Sequence, residues 1–370
     1  MVLARSCALS AVSLVLAGGL ERKATTVRPQ VREFCYAAKA KRGQPRHELQ
    51  VESCFAPRLA WVLSGWEGHP LARAVAAPPV GQGVVVLVLR GLYRGWALPV
   101  AGTGLSAGEN HAWRREGVRR LRQVRTAVPR RFCVSVVADR GWSARGVLRR
   151  RGRLGWHPRV RINGGGGPCR PAASAQERPR RSLVPQPGPQ GAGAGTACGG
   201  PRRRLNCTRR ARGEEGYAAP WLRLTALAPR AGAACGYGRR AGSAPGFKIP
   251  NRAGWQWQRP RMTAPHRAAR LWVAVAVATW GRLCVGGAAD ATVPAETLLP
   301  LPGEGFVPHR HRRATQLRLV SLFRQGWILI LVALLNHHRL PIGRFVPEPW
   351  PCAEMRELKL RVNHNVPLAA

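Results

Sequence analysis

The chain has 370 residues, and its 60 Lys and Arg against 17 Asp and Glu give a formal charge of +43. Although 45% of it is nominally hydrophobic, 53 of those residues are alanine, while Leu, Val, Ile and Phe together number 84. A further 73 residues are Gly or Pro, which raise the entropy cost of order or remove ladder donors, so this composition excludes one continuous core along the whole chain.

The fold class that follows is a mostly disordered or irregular chain with no continuous globular fold. It carries isolated helices over residues 110–128, 271–281, 317–335 and 353–362, and a small α/β island at 84–137. Charge is concentrated in the middle: residues 101–270 hold 36 basic and six acidic side chains. Of the 60 basic residues 55 are arginine, whose permanently charged planar fork suits phosphate. Another cause fits the same skew. Gly, Ala, Arg and Pro make up 181 residues, whereas Phe, Tyr, Met, Ile, Asn and Lys make up 31. The first set is encoded largely by G/C-rich codons, the second by A/T-rich ones. A translated GC-rich frame with no selected activity therefore stands beside an evolved basic binder as a reading.

The ten cysteines approach no closer than the nine-residue step from Cys198 to Cys207. That spacing excludes a zinc ribbon and a thioredoxin-type pair.

Residues 1–20 form a signal-like apolar segment: Arg5 is followed by an apolar run at 7–17 and then small residues at Gly18 and Gly19. On that reading the chain enters the secretory pathway, and Asn206-Cys207-Thr208 becomes a glycosylation acceptor. The plainer reading is an Ala/Leu/Val run of the kind this composition produces.

Residues 21–139 read as a weakly folded region, and 21–79 show no sustained period. Val84-Val85-Val86-Leu87-Val88-Leu89, bounded by Gly83 and Gly91, suits a buried strand. Phe132-Cys133-Val134-Ser135-Val136-Val137 is a second strand, expected to pair with the first around the helix between them. Asn110 caps that helix and Pro129 stops it, while Trp113, Val118, Leu121, Val124 and Val128 share one side. Arg115, Arg119 and Arg122 gather opposite. Such a face contacts nucleic acid or an acidic membrane surface, or is simply solvated above a small core.

Gly104-Leu105-Ser106-Ala107-Gly108 is a formal G-x-S-x-G, the spacing of a hydrolase nucleophile turn. Its partners in chain order would be Asp139 and His157. Residues 99–103 do not read as the strand such a turn requires, and no H-G-G-G loop precedes. With 12 serines and 42 glycines, one match is a coincidence of composition.

Residues 140–161 are an arginine tract containing Arg145, Arg149, Arg150, Arg151 and Arg153, with Trp142 and Trp156 interleaved. Guanidinium groups pair with phosphates and indole faces stack on unpaired bases, which matches single-stranded RNA. Residues 162–200 read as a Gly/Pro-rich linker, and 201–270 as an Arg/Gly-rich disordered region holding Arg202, Arg203, Arg204, Arg209, Arg210 and Arg212. Trp255 and Trp257 supply a further stacking patch there. No G-x-x-x-x-G-K-[ST] phosphate loop exists.

Residues 271–289 are apolar apart from Arg282. An arginine within a spanning helix costs about 2.5–3.5 kcal/mol on insertion scales, so a buried or interfacial helix is expected. Residues 327–335 are nine apolar residues, short of the roughly 20 that span a bilayer. Residues 290–370 form a Pro-interrupted C-terminal region with short helices. Its histidines at 309, 311, 337 and 338 lack acidic or thiol neighbours at ligand spacing.

The sequence thus reads as non-enzymatic, with no cofactor, no metal and no small-molecule substrate. Its best-matched partners are RNA or other polyanions, bound with low specificity. The contacts would come from Arg145, Arg149, Arg150, Arg151, Arg153, Arg202, Arg203, Arg204, Arg209, Arg210 and Arg212, with Trp156 stacking. An acidic membrane surface is the second partner class. The arginine runs point to the nucleus or nucleolus, and the apolar segments to the secretory pathway or a membrane.

Overall fold

The computed structural model describes residues 1–44, 46–76, 79–81, 83–106, 108, 112–138, 156–161, 169–171, 190–198, 204–212, 221–225, 254–257, 259–292 and 320–347. The helix expected at 353–362 lies outside them. What they form is a mixed sheet with helices packed on it.

Three helices open the chain: α1 (Leu9–Gly19), α2 (Ala24–Glu33) and α3 (Phe55–Ser64). The signal-like run is α1. It packs on α2 and buries Val12, Ser13 and Ala17, while Leu14 and Leu16 stay exposed. Periodicity did not mark these helices, because the buried residues of α1 and α2 are few and small: α2 buries Val27 alone among its ten residues.

The sheet begins with β1 (Pro70–Ala76), β2 (Pro79–Gly81), β3 (Val84–Tyr93) and β4 (Trp96–Ser106). The apolar run at 84–89 is the core of β3, nearly all of which is buried, as its lack of alternation demands. Arg94-Gly95 makes the two-residue turn to β4, and both residues have positive φ, at 44° and 72°. A twist-matched hairpin turn requires that backbone, and Arg94 adopts it although it has a Cβ. Its guanidinium is held 2.7 Å from the buried carboxylate of Asp290.

β4 corrects the expectation that residues 99–103 are not a strand. Pro99 is accommodated because β4 pairs only with β3 among the described strands, and the register shifts beside Pro99. Proline lacks the donor a central strand needs, but an edge with a bulge does not need it.

α4 (Ala112–Arg125) leads to β5 (Cys133–Ala138). The expected direct pairing of the 84–89 and 132–137 strands is not made. β1 lies between them, antiparallel to β3 and parallel to β5. Beyond β5 come β6 (His157–Arg161), β7 (Cys169–Pro171), β8 (Gln190–Cys198), β9 (Arg204–Arg212) and β10 (Trp221–Thr225), in the order β5-β6-β10-β9-β8-β7. Two of these strands lie within the stretch read as linker, and two more within 201–270. The Gly-Ala alternation at 191–195 pairs as β8 against β9 through its backbone, which is available to small residues as well as large ones.

The organising helix is α5 (Pro265–Ala291), and α6 (Leu322–Leu335) crosses it. α5 extends the expected 271–281 helix at both ends. By length and mean hydropathy (1.4) it could cross a membrane, yet 72% of its most apolar window is buried in this core. Trp280 donates its indole N–H to the Pro99 carbonyl at 2.7 Å, tying α5 to β4. The crossing with α6 is made at two glycines. A Cβ on Gly286 would lie 2.1 Å from the Leu322 carbonyl oxygen, and one on Gly326 would lie 1.8 Å from that of Arg282. No side chain fits either position.

Gly326→Ala should therefore lower the unfolding free energy by about 1–3 kcal/mol, the usual cost of overpacking. Gly281→Ala, where the added methyl meets only an Ile342 methyl at 4.0 Å, should raise it by up to about 1 kcal/mol through helix propensity. Thermal unfolding of both variants measures this; equal effects would place the α5–α6 crossing elsewhere.

Candidate functional site

Arginine occurs here in two settings, the packed core and the strands β6, β10 and β9. The first is buried. Arg282 lies mid-way along α5, donates to the Phe323 carbonyl at 3.0 Å, and sits 3.5 Å from the Phe323 ring centroid and 5.1 Å from that of Trp255. Arg58 of α3 stands 4.5 Å from the ring of Trp280. Arg73 of β1 is fully buried and lies 4.7 Å from Trp156. Burial pulls Arg73 and Arg282 down to about 9 and Arg58 to about 10. All three remain charged at neutral pH, held largely by ring faces.

Other buried arginines take carboxylates. Arg120 of α4 pairs with Glu52 at 2.8 Å and Glu116 at 3.1 Å, and Arg119 reaches Glu52 at 2.9 Å. The Arg120 hydrogen bond, with that of Gln123, holds the Glu52 carboxyl below its usual range although burial opposes this. The apolar stripe of α4 does face the core through Val118, Leu121 and Val124. Its basic face is partly neutralised, leaving Arg115 and Arg122 exposed.

The second setting holds a row. On three adjacent antiparallel strands, β6, β10 and β9, Arg161 stands opposite Arg223 and Arg223 opposite Arg210. Like charges directly opposite on neighbouring strands destabilise a sheet, by a fraction of a kcal/mol up to about 1 kcal/mol each. A bound anion reverses that sign.

The structure distributes the sequence-predicted residues unevenly. Arg145, Arg149, Arg150, Arg151, Arg153, Arg202 and Arg203 lie outside the described residues. Arg204, Arg209, Arg210 and Arg212 all fall on β9. Trp156, expected to stack on a base, is 7% exposed and Arg73 covers its ring. The stacking patch of Trp255 and Trp257 is likewise core: Trp255 is fully buried and donates to Thr279 Oγ1 at 2.9 Å. Arg159 and Arg161 fall within the 140–161 tract read from sequence, whereas Arg223 was not singled out; the signal that aligns it with Arg161 and Arg210 is cross-strand register.

Ser106 ends an antiparallel strand opposite Val84, not the parallel strand a nucleophile turn follows. His157 opens β6, with β3, β1 and β5 intervening in the sheet order, and Asp139 lies outside the described residues. Among the described residues no group of three or more His, Cys, Asp or Glu is placed to hold a metal.

No protein family and no curated protein matches the chain. Among solved structures it is similar to the piggyBac transposase in a synaptic complex with hairpin DNA, at 9% identity and a TM-score of 0.30. The match covers 82% of this chain and spans 58% of the transposase chain. A TM-score that low carries no argument about fold or function.

Two outcomes follow from the buried groups. Arg73 has no hydrogen-bond partner for any guanidinium nitrogen. Arg73→Met, keeping the stem and removing the charge, should stabilise the fold by about 1–4 kcal/mol in denaturant titrations; destabilisation would mean the stacked charge is worth more than its burial costs. Burial pushes the Cys7 thiol up to about 12 and Cys35 to about 11. Each thiol should therefore resist alkylation at pH 8 and react only as pH rises towards those values. Half-exposed Cys54 should be labelled before either of them in peptide mapping.

Proposed function

We propose that this chain binds single-stranded RNA or other polyanions through phosphate contacts, with little discrimination by sequence and no catalysis. The reading is carried by the arginine row Arg161, Arg223 and Arg210, aligned across β6, β10 and β9. Three cations in register are a liability in an isolated sheet and an asset against a phosphate chain. The flanking tracts, with Arg149, Arg150, Arg151 and Arg153 before β6 and Arg202 and Arg203 before β9, extend the same charge along the sequence.

Residues 101–270 contain six acids, and one of them, Glu116, is already committed to Arg119 and Arg120. Little internal counter-charge remains, so the partner supplies it. Counterion release then dominates affinity, and binding falls steeply with salt. Since Trp156, Trp255 and Trp257 are buried, stacking contributes little, which lowers sequence discrimination further.

Salt titrations with a fluorescent single-stranded RNA test this. Replacing Arg161, Arg210 and Arg223 together with Gln should make the slope of log K against log salt shallower by about 2, at roughly 0.7 per phosphate contact. Replacing Arg149, Arg150, Arg151 and Arg153 with Ala should remove about 3. Lysine at the same positions should restore most of each slope. Slopes unchanged in both variants would reject the reading and favour a chain with no selected ligand.

A further inference from the structure

A cavity of about 190 Å³ lies between α2 and the segment entering α5. Three of its lining side chains are cationic, Arg32, Arg261 and Arg267, and no acid lines it. Elsewhere in the described residues, arginines within reach of a carboxylate use it, as Arg94, Arg120 and Arg270 do. Among the described residues these three have no carboxylate within ion-pair distance.

One tyrosine organises two of them. Arg32 donates to the Tyr36 hydroxyl at 3.1 Å, and the Arg267 guanidinium lies 4.3 Å from the Tyr36 ring centroid. A phenol that accepts from Arg32 still has its own proton to give, so the cavity wall presents two oriented guanidinium groups and an O–H donor. Arg261 is held at φ 47°, a left-handed backbone that a residue with a Cβ adopts at a cost and that clusters at binding sites. The α5 N-terminus, whose capping residue Ala264 offers no side-chain acceptor, adds the positive end of a 27-residue helix.

Burial first, then the Arg270 and Arg267 charges, hold the neighbouring His266 below its usual value, with Glu48 opposing them. Cys35, also in the lining, is kept a neutral thiol by burial and supplies no competing anion at neutral pH.

We propose that this cavity is a phosphate site, taking a phosphomonoester between Arg32, Arg261 and Arg267 with Tyr36 as a further donor. Guanidinium forks match phosphate oxygens in pairs, and three of them around one open cavity exceed what a monovalent carboxylate would use. The site does not rest on the polyanion reading. Its lining comes from α1, α2 and the segment entering α5, and none of its described lining residues belongs to β6, β10 or β9.

Isothermal titration of the full chain with inorganic phosphate tests it, at an ionic strength fixed with sodium chloride. A saturable site is expected. Arg267→Gln and Arg261→Gln should each weaken it roughly tenfold or more, the value of a charged hydrogen bond. Arg122→Gln, which removes the same charge from the exposed face of α4, should leave it within about twofold. Arg261 is exposed, so its variant keeps the test open if Arg267→Gln fails to fold, as judged by circular dichroism. A 5′-nucleoside monophosphate that binds as tightly as inorganic phosphate supports an esterified ligand; tighter inorganic phosphate supports the free anion. No saturable heat, or equal weakening in all three variants, would overturn the proposal. The Arg161, Arg210 and Arg223 triple variant should keep this isotherm, so the two readings fail separately.

Discussion

Guanidinium groups laid on aromatic rings are what allow this core to close. A chain with 60 basic side chains and 17 acids leaves most of its cations without a carboxylate of their own. The alternative is a ring face, which attracts a desolvated cation by up to about 2 kcal/mol or more and also fills volume. Arg282 beside Phe323 and Trp255, Arg58 beside Trp280, and Arg73 beside Trp156 all use it. The scarce acids are reserved for other joints, such as the ion pair of Arg94 with Asp290 that fastens the β3–β4 turn to the end of α5.

The dependence on α5 follows. It carries Arg270 and Arg282, supplies Trp272 and Trp280 to the β4 side of the sheet, and receives α6 through a glycine contact. An apolar run with one arginine would be costly in lipid. Inside this core the same arginine is solvated by two aromatic rings and a backbone carbonyl, so burial in protein offers the run a destination that does not strip its charge.

Legibility in the sequence tracked apolar side-chain size and period. The Val/Leu run of β3, the stripe on α4 and the long apolar α5 were readable because each buries large side chains at a spacing that names the element. β1 was not readable: its sequence, Pro-Leu-Ala-Arg-Ala-Val-Ala, places a fully buried arginine on the face shared by Leu71 and Val75, breaking the apolar alternation that marks a strand. β4 was hidden by Pro99, which an edge strand tolerates. The indoles were misjudged for a related reason. Tryptophan among arginines looks the same in sequence whether it faces a base or is capped from within by Arg73 or Arg282. The arginine row was invisible because its members come from three separate strands, and only register aligns them.

Hydrogen exchange of the full chain in low salt, without any polyanion and read by mass spectrometry, tests the central claim that arginine–aromatic contacts sustain a core despite the self-repulsion. Peptides from β3 and α5 should exchange far more slowly than the exposed stretch at 336–342. They should lose that protection when Trp255 and Phe323, the rings beside Arg282, are replaced by leucine. Rapid, uniform exchange across the wild-type chain would show that no such core forms unaided, and protection unchanged by the leucine variants would show that the rings are not what holds it.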